Sequence, residues 1–175
     1  MGFLLLSGGA HGLPAAGPAM PEYLVTLTAY NAVPAQTDGN PLETASGAYS
    51  NPEVVAARSQ DLAAELPFGT IIELDAPADE QGSCGYGVVA ARIGYRVVAD
   101  TMNARYTDRV DVLFDTKKEY ATADKGMKNA AEILGICGGV TIRVVGHVNI
   151  NRIPKTQAEL AKLVGGGADA LALNK

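Results

Sequence analysis

The sequence predicts a mainly β domain, closed as a barrel or stacked as a sandwich, and three observations carry that prediction. Six or seven short segments are rich in β-forming residues, and 20 Gly and 9 Pro punctuate the chain between them. The 175 residues are 47% apolar and 19% charged, enough for one buried core without help from metals or disulfides. An open sheet of so many short strands would leave unpaired edges, which closure or stacking removes.

Taken in order, residues 23–30 (YLVTLTAY) alternate apolar and polar side chains and predict a strand. Residues 31–50 are crowded with Asn, Pro, Thr, Gly and Asp, the mark of a long loop of the kind that carries function. A strand over 54–58, a short helix over 59–65 with Ser59 as N-cap, the turn LPFGT and a strand over 71–75 follow. Residues 77–87 are polar and turn-rich, and 88–99 read as a hairpin turned near Gly94 or as one bent strand. Residues 109–114 form another alternating strand. Residues 117–134 are the longest helical pattern, ended by Gly135 and weakened at Gly126 by about 1 kcal/mol relative to Ala. Residues 140–148 complete the β set, and the tail predicts a loosely docked helix over 157–163. The domain organisation is thus a leader over 1–22, a β domain over 23–150 and a tail over 151–175. The leader has a short apolar run, Phe3 to Leu6, before small-residue stretches around Pro14–Ala16; it reads as a clipped signal peptide or as a disordered segment.

Charge and composition exclude several functions. The net charge is −5, and residues 1–57 hold no Lys or Arg, so no basic surface is predicted for nucleic acid. No apolar run is long enough for a membrane-spanning helix. His11 and His147 are too few for a His-rich metal site, and neither metal nor cofactor is expected. Cys84 and Cys137 suit either one disulfide or two buried thiols. The Gly-rich stretch at 82–87 lacks the Lys-Ser/Thr of a phosphate loop.

The chemistry-bearing residues gather in VVADTMNARYTDRVDVLFD. Period-2 geometry puts Val110, Val112 and Phe114 on one face of a strand, with Asp111, Leu113 and Asp115 on the other. The ten residues between Asp100 and Asp111 are enough to bring the two back together, and neighbouring carboxylates raise one another's pKa toward that of a usable acid. The bland reading of the same spacing is a solvated strand face paired with Arg105 or Arg109.

The ordered series TAYNAVPAQTDGNPLETASG (28–47), LPFGT (66–70), VADTMNARY (98–106), RVDVLF (109–114) and VTIRVV (140–145) resembles the three-aspartate, or 3D, domain family. That family includes the catalytic domain of membrane-bound lytic transglycosylase A, and the resemblance covers about residues 23–146. It implies a six-stranded double-psi β-barrel, a secreted or cell-envelope location, and cleavage of the peptidoglycan glycan strand. Asp100 matches the family's second aspartate and Asp111 its third, the catalytic acid/base; Asp61 is the nearest counterpart of the first. Where the transglycosylases have a Gly-rich segment, this chain has Met102-Asn103-Ala104-Arg105-Tyr106. Asp111 and Asp100 are the candidate catalytic pair, Asp100 orienting Asp111 and tuning its pKa; Tyr30, Asn31, Thr44, Ser46, Gly47 and Asn103 are candidate cleft residues, with Asp61 grouped beside them. A single aspartate that gives a proton to the glycosidic oxygen and then takes one from the muramic acid C6 hydroxyl would leave a 1,6-anhydro end. The alternative is a non-catalytic glycan-binding or structural barrel that keeps the aspartates for its fold.

Overall fold

The computed structural model describes residues 20–37, 40–78, 84–122 and 126–166. Its strands are β1 (Glu22–Asn31), β2 (Val55–Arg58), β3 (Thr70–Asp75), β4 (Arg96–Thr101), β5 (Arg109–Phe114), β6 (Glu119–Thr122), β7 (Gly126–Asn129) and β8 (Cys137–His147). Three short helices accompany them: α1 (Tyr86–Ile93), α2 (Ala130–Leu134) and α3 (Gln157–Gly165). Six of the strands close a barrel in the order β1-β5-β2-β4-β3-β8, while β6 and β7 form a separate hairpin. Two neighbouring pairs are parallel, β1 with β5 and β2 with β4; the other pairs in the ring are antiparallel.

Alternation along the strands sorts the apolar side chains to the two faces of the barrel wall. Val110, Val112 and Phe114 of β5 join a cluster that draws on all six barrel strands and on α1 and α2. Leu113 faces the other way, into a second cluster with Tyr30, Val55, Ala57, Val97 and Ala99 that α3 covers through Leu160 and Leu163. Between elements sits Arg96, fully buried, which donates to the carbonyls of Ile93, Arg92, Pro52, Val55 and Leu113. Among the described residues it has no carboxylate within ion-pair distance, so five backbone dipoles offset the cost of its burial, and that burial lowers its pKa to about 9.

Three expectations are corrected. Residues 88–99 are not a hairpin: Tyr86, Val89 and Ile93 recur at helical spacing on the buried side of α1, and Gly94, at φ 55°, ends the helix before β4. The long helix over 117–134 is instead β6, β7 and the one-turn α2, because Gly126 at φ 71° supplies a left-handed residue where β7 begins. Gly135, at φ 64°, ends α2 as expected. The described part of the tail is docked rather than loose. Thr156 and Glu159 form a reciprocal capping box at the start of α3, and Leu160 is fully buried. Residues 1–19 of the predicted leader and 167–175 of the tail lie outside the described residues, and Glu22 already belongs to β1.

Cys84 and Cys137 are joined in a disulfide, tying the residue before the α1 cap to the first residue of β8. No helix among the described residues is long and apolar enough to cross a membrane.

Candidate functional site

A groove of about 1010 Å³ opens over the ends of β1, β2, β4 and β5, and both Asp100 and Asp111 line it. The backbone ladder brings them together. Ala57 of β2 is in register with Asp111 of β5 on one side and with Asp100 of β4 on the other. Cross-strand partners point to the same face, so the two carboxyl groups flank the Ala57 methyl, with Cα atoms roughly 10 Å apart at two strand spacings. A one-residue irregularity between Ala56 and Ala57 sets this register: Ala56 pairs with Val98, but Ala57 pairs with Asp100.

The two carboxyls have different surroundings. Asp100 Oδ2 accepts from the Tyr30 hydroxyl at 2.9 Å, and its Oδ1 accepts from the backbone N–H of Ala45 at 2.8 Å and of Thr101 at 2.9 Å. Tyr30 is held protonated, its pKa raised first by burial and then by the Asp100 charge. Asp111 Oδ1 is buried without a hydrogen-bond partner. Burial pushes the Asp111 carboxyl up to about 6, with a smaller push from Asp100; the Thr28 hydroxyl and the Arg109 guanidinium act in the opposite direction. Thr28 is the residue of β1 in register with Asp111, a site residue that only the β1–β5 pairing reveals.

The loop before β2 supplies one wall. Thr44 Oγ1 lies 3.0 Å from Ser46 Oγ and donates to the Ala48 carbonyl, and Ser46 N–H donates to the Ala99 carbonyl. Gly47, at φ 82°, turns the chain there. Thr44 lines the groove, whereas Ser46 and Gly47 do not; their turn delivers the Ala45 N–H to Asp100. Asn31 also lies outside the lining, its buried side chain leaving Oδ1 without a partner.

Asn103 lines the opposite wall and shapes it, accepting from Arg105 N–H through its side chain and from Tyr106 N–H through its carbonyl. Asp61 stands apart from the groove. It accepts from the Asp108 N–H at 2.9 Å and from Ser59, and these bonds hold its carboxyl below the usual range. Ser59 makes no side-chain cap to the 3-10 turn at Gln60–Ala63; its Oγ accepts instead from Arg109 N–H. Asp115 diverges too, capping Lys117 N–H and facing a smaller groove beside Glu53 and Lys118. Of the three clustered aspartates, two converge. Glu43, Gln60, Arg105 and Arg109 line the main groove without having been singled out as cleft residues from sequence.

Among the described residues, no group of three or more His, Cys, Asp or Glu is arranged to hold a metal ion. The chain matches no protein-family model, no curated protein and no solved structure.

Proposed function

We propose that this protein cleaves the glycan strand of peptidoglycan by lytic-transglycosylase chemistry, with Asp111 as the single acid/base, and that it works outside the cell or in the envelope as a member of the 3D domain family. The observation that carries the reading is the Asp111 carboxyl: buried at the groove floor, one oxygen unpartnered, its pKa near 6. A carboxyl in that state keeps its proton up to about pH 6, some two pH units higher than an ordinary aspartate, which suits a general acid. The double-psi assignment draws support from the closed six-stranded ring with its two parallel pairs.

In the reaction, protonated Asp111 gives its proton to the glycosidic oxygen as the C1–O bond of muramic acid breaks. The resulting carboxylate accepts the proton of the C6 hydroxyl while that oxygen bonds to C1, leaving a 1,6-anhydro ring and restoring the acid. Hydrolytic glycosidases need a second free carboxylate as base or nucleophile. Here Asp100 is committed to three donors, which suits a positioning role better than attack on a sugar or activation of water.

Purified peptidoglycan incubated with the protein should release anhydromuropeptides, read by mass spectrometry, and Asp111→Asn should release about a thousandfold less. Hydrolysed reducing ends in their place would replace the mechanism, and no product from the wild type would overturn the enzyme reading. The non-catalytic alternative has its own support, since Asp61 and Asp100 both hold backbone in place. Tight sedimentation with peptidoglycan but no release of product would favour it.

A further inference from the structure

Arg105 and Arg109 both line the groove, and both guanidinium groups lie over the Tyr106 ring, 4.7 and 4.9 Å from its centre. Arg105 also donates to the Tyr106 hydroxyl at 2.7 Å. The ion pairs among the described residues are Lys118–Glu53, Arg143–Glu22 and Arg143–Glu73, so neither groove arginine has a carboxylate partner. The π face of that ring attracts a cation, so Tyr106 is a common anchor for both side chains.

A set of local hydrogen bonds holds this arrangement. Asn103 closes the turn onto Arg105 and Tyr106; Asp108, at φ 50°, is the one non-glycine residue in the left-handed region among those described. Asp61 holds the Asp108 N–H, and Ser59 holds that of Arg109. Two guanidinium groups beside one ring, carried on a hydrogen-bonded turn and without an acid at ion-pair distance among the described residues, offer N–H donors suited to a planar anion.

We propose that Arg105, Tyr106 and Arg109 form an anion subsite of the groove that takes a carboxylate of the peptide attached to the sugar being cleaved. The inference rests on the glycan-cleavage reading and adds to it a means of choosing peptide-bearing over bare strands. Asp61 thereby acquires a positioning role, acting through Asp108 on the two arginines. An anion seated there would also cancel the Arg109 charge that opposes protonation of Asp111, so that the ligand itself favours the acid form.

The test uses the full chain labelled with nitrogen-15, following the Arg105 and Arg109 Nε–Hε resonances, assigned with Arg105→Gln and Arg109→Gln. The probes are a disaccharide-peptide muropeptide with free carboxylates, its carboxyl-amidated form, and inorganic phosphate. The free-carboxylate fragment should shift both resonances and bind at least tenfold more tightly than the amidated one, and the double variant should lose that preference. Equal affinity for the two fragments, or resonances unmoved by the muropeptide, overturns the inference even if anhydro products are released, which keeps it separable from the catalytic reading. A response to phosphate but not to the muropeptide assigns the site to a phosphate-bearing polymer and overturns the carboxylate assignment. Asp61→Asn should weaken the preference with little change in affinity for the amidated fragment.

Discussion

The ends of β4 and β5 each put one aspartate into the same groove, on either side of one alanine, and treat it in opposite ways. Asp100 is surrounded by three donors from three parts of the chain: the Tyr30 side chain, the Ala45 backbone and the Thr101 backbone. Asp111 has a buried oxygen with no donor and a pKa displaced by burial. A satisfied carboxylate organises structure; an unsatisfied one stores free energy that a ligand can release. The division of labour between the two thus follows from who donates to whom, since the residue type is the same.

The largest effect that bears on this contrast is catalytic. Asp111→Asn should reduce release of anhydro products by about 10³-fold, within the range for removing a general acid. In the wild type, kcat/KM should fall about tenfold per pH unit above roughly pH 6, as the acid form is lost. A profile flat to pH 8 would remove Asp111 from the acid's role.

Asp100→Asn should act mainly on stability. An amide cannot accept all three hydrogen bonds, and urea unfolding should show a loss of about 2–3 kcal/mol. A variant as stable as the wild type yet as inactive as Asp111→Asn would break the contrast, making Asp100 a second reacting group.

Asp111→Asn should move stability the other way. The folded-state pKa of Asp111, about 6, lies above its unfolded value, so its contribution is fully present at low pH and is lost as pH rises through 6. Replacing it with a neutral amide should therefore stabilise the fold by about 3 kcal/mol at pH 8, a gain that vanishes below about pH 4. Denaturation measured at both pH values checks the sign, and a gain independent of pH would point to packing instead.

The smallest effect is expected from Tyr30→Phe, which removes one of the three donors to Asp100 and should cost about 1–2 kcal/mol. If it matches the cost of Asp100→Asn, the two backbone donors contribute little, and Asp100 is held by Tyr30 alone.

Much of this site was legible from residues 98–114. Alternation over 109–114 fixed both the strand and the side on which Asp111 sits, because a half-buried strand leaves a clear period of two. The same reasoning failed at 88–93, where a run of six residues, VVAARI, is too short to separate a buried helix from a strand. It failed at 117–134 because Lys, Glu, Ala and Met are good helix formers, and the pairing of β6 with β7 overrode that preference. The contrast between Asp100 and Asp111 lay beyond reach, since Ala45 and Thr28 meet the aspartates only through pairing and loop closure. Asp61 shows the limit of motif matching. A family position suggested a cleft residue, and its hydrogen bonds run to the turn that carries the arginines.

Ala57 connects these observations to how the protein should fail under stress. The spacing of the two acids is set by the hydrogen-bonded ladders of three central strands, so it cannot loosen without opening the barrel. The turn at 103–108 is held by a few side-chain bonds near solvent and belongs to a part of the molecule that can open locally. On gentle heating, discrimination among ligands should therefore be lost while the acid/base geometry persists, and cleavage should cease only with the cooperative unfolding of the barrel.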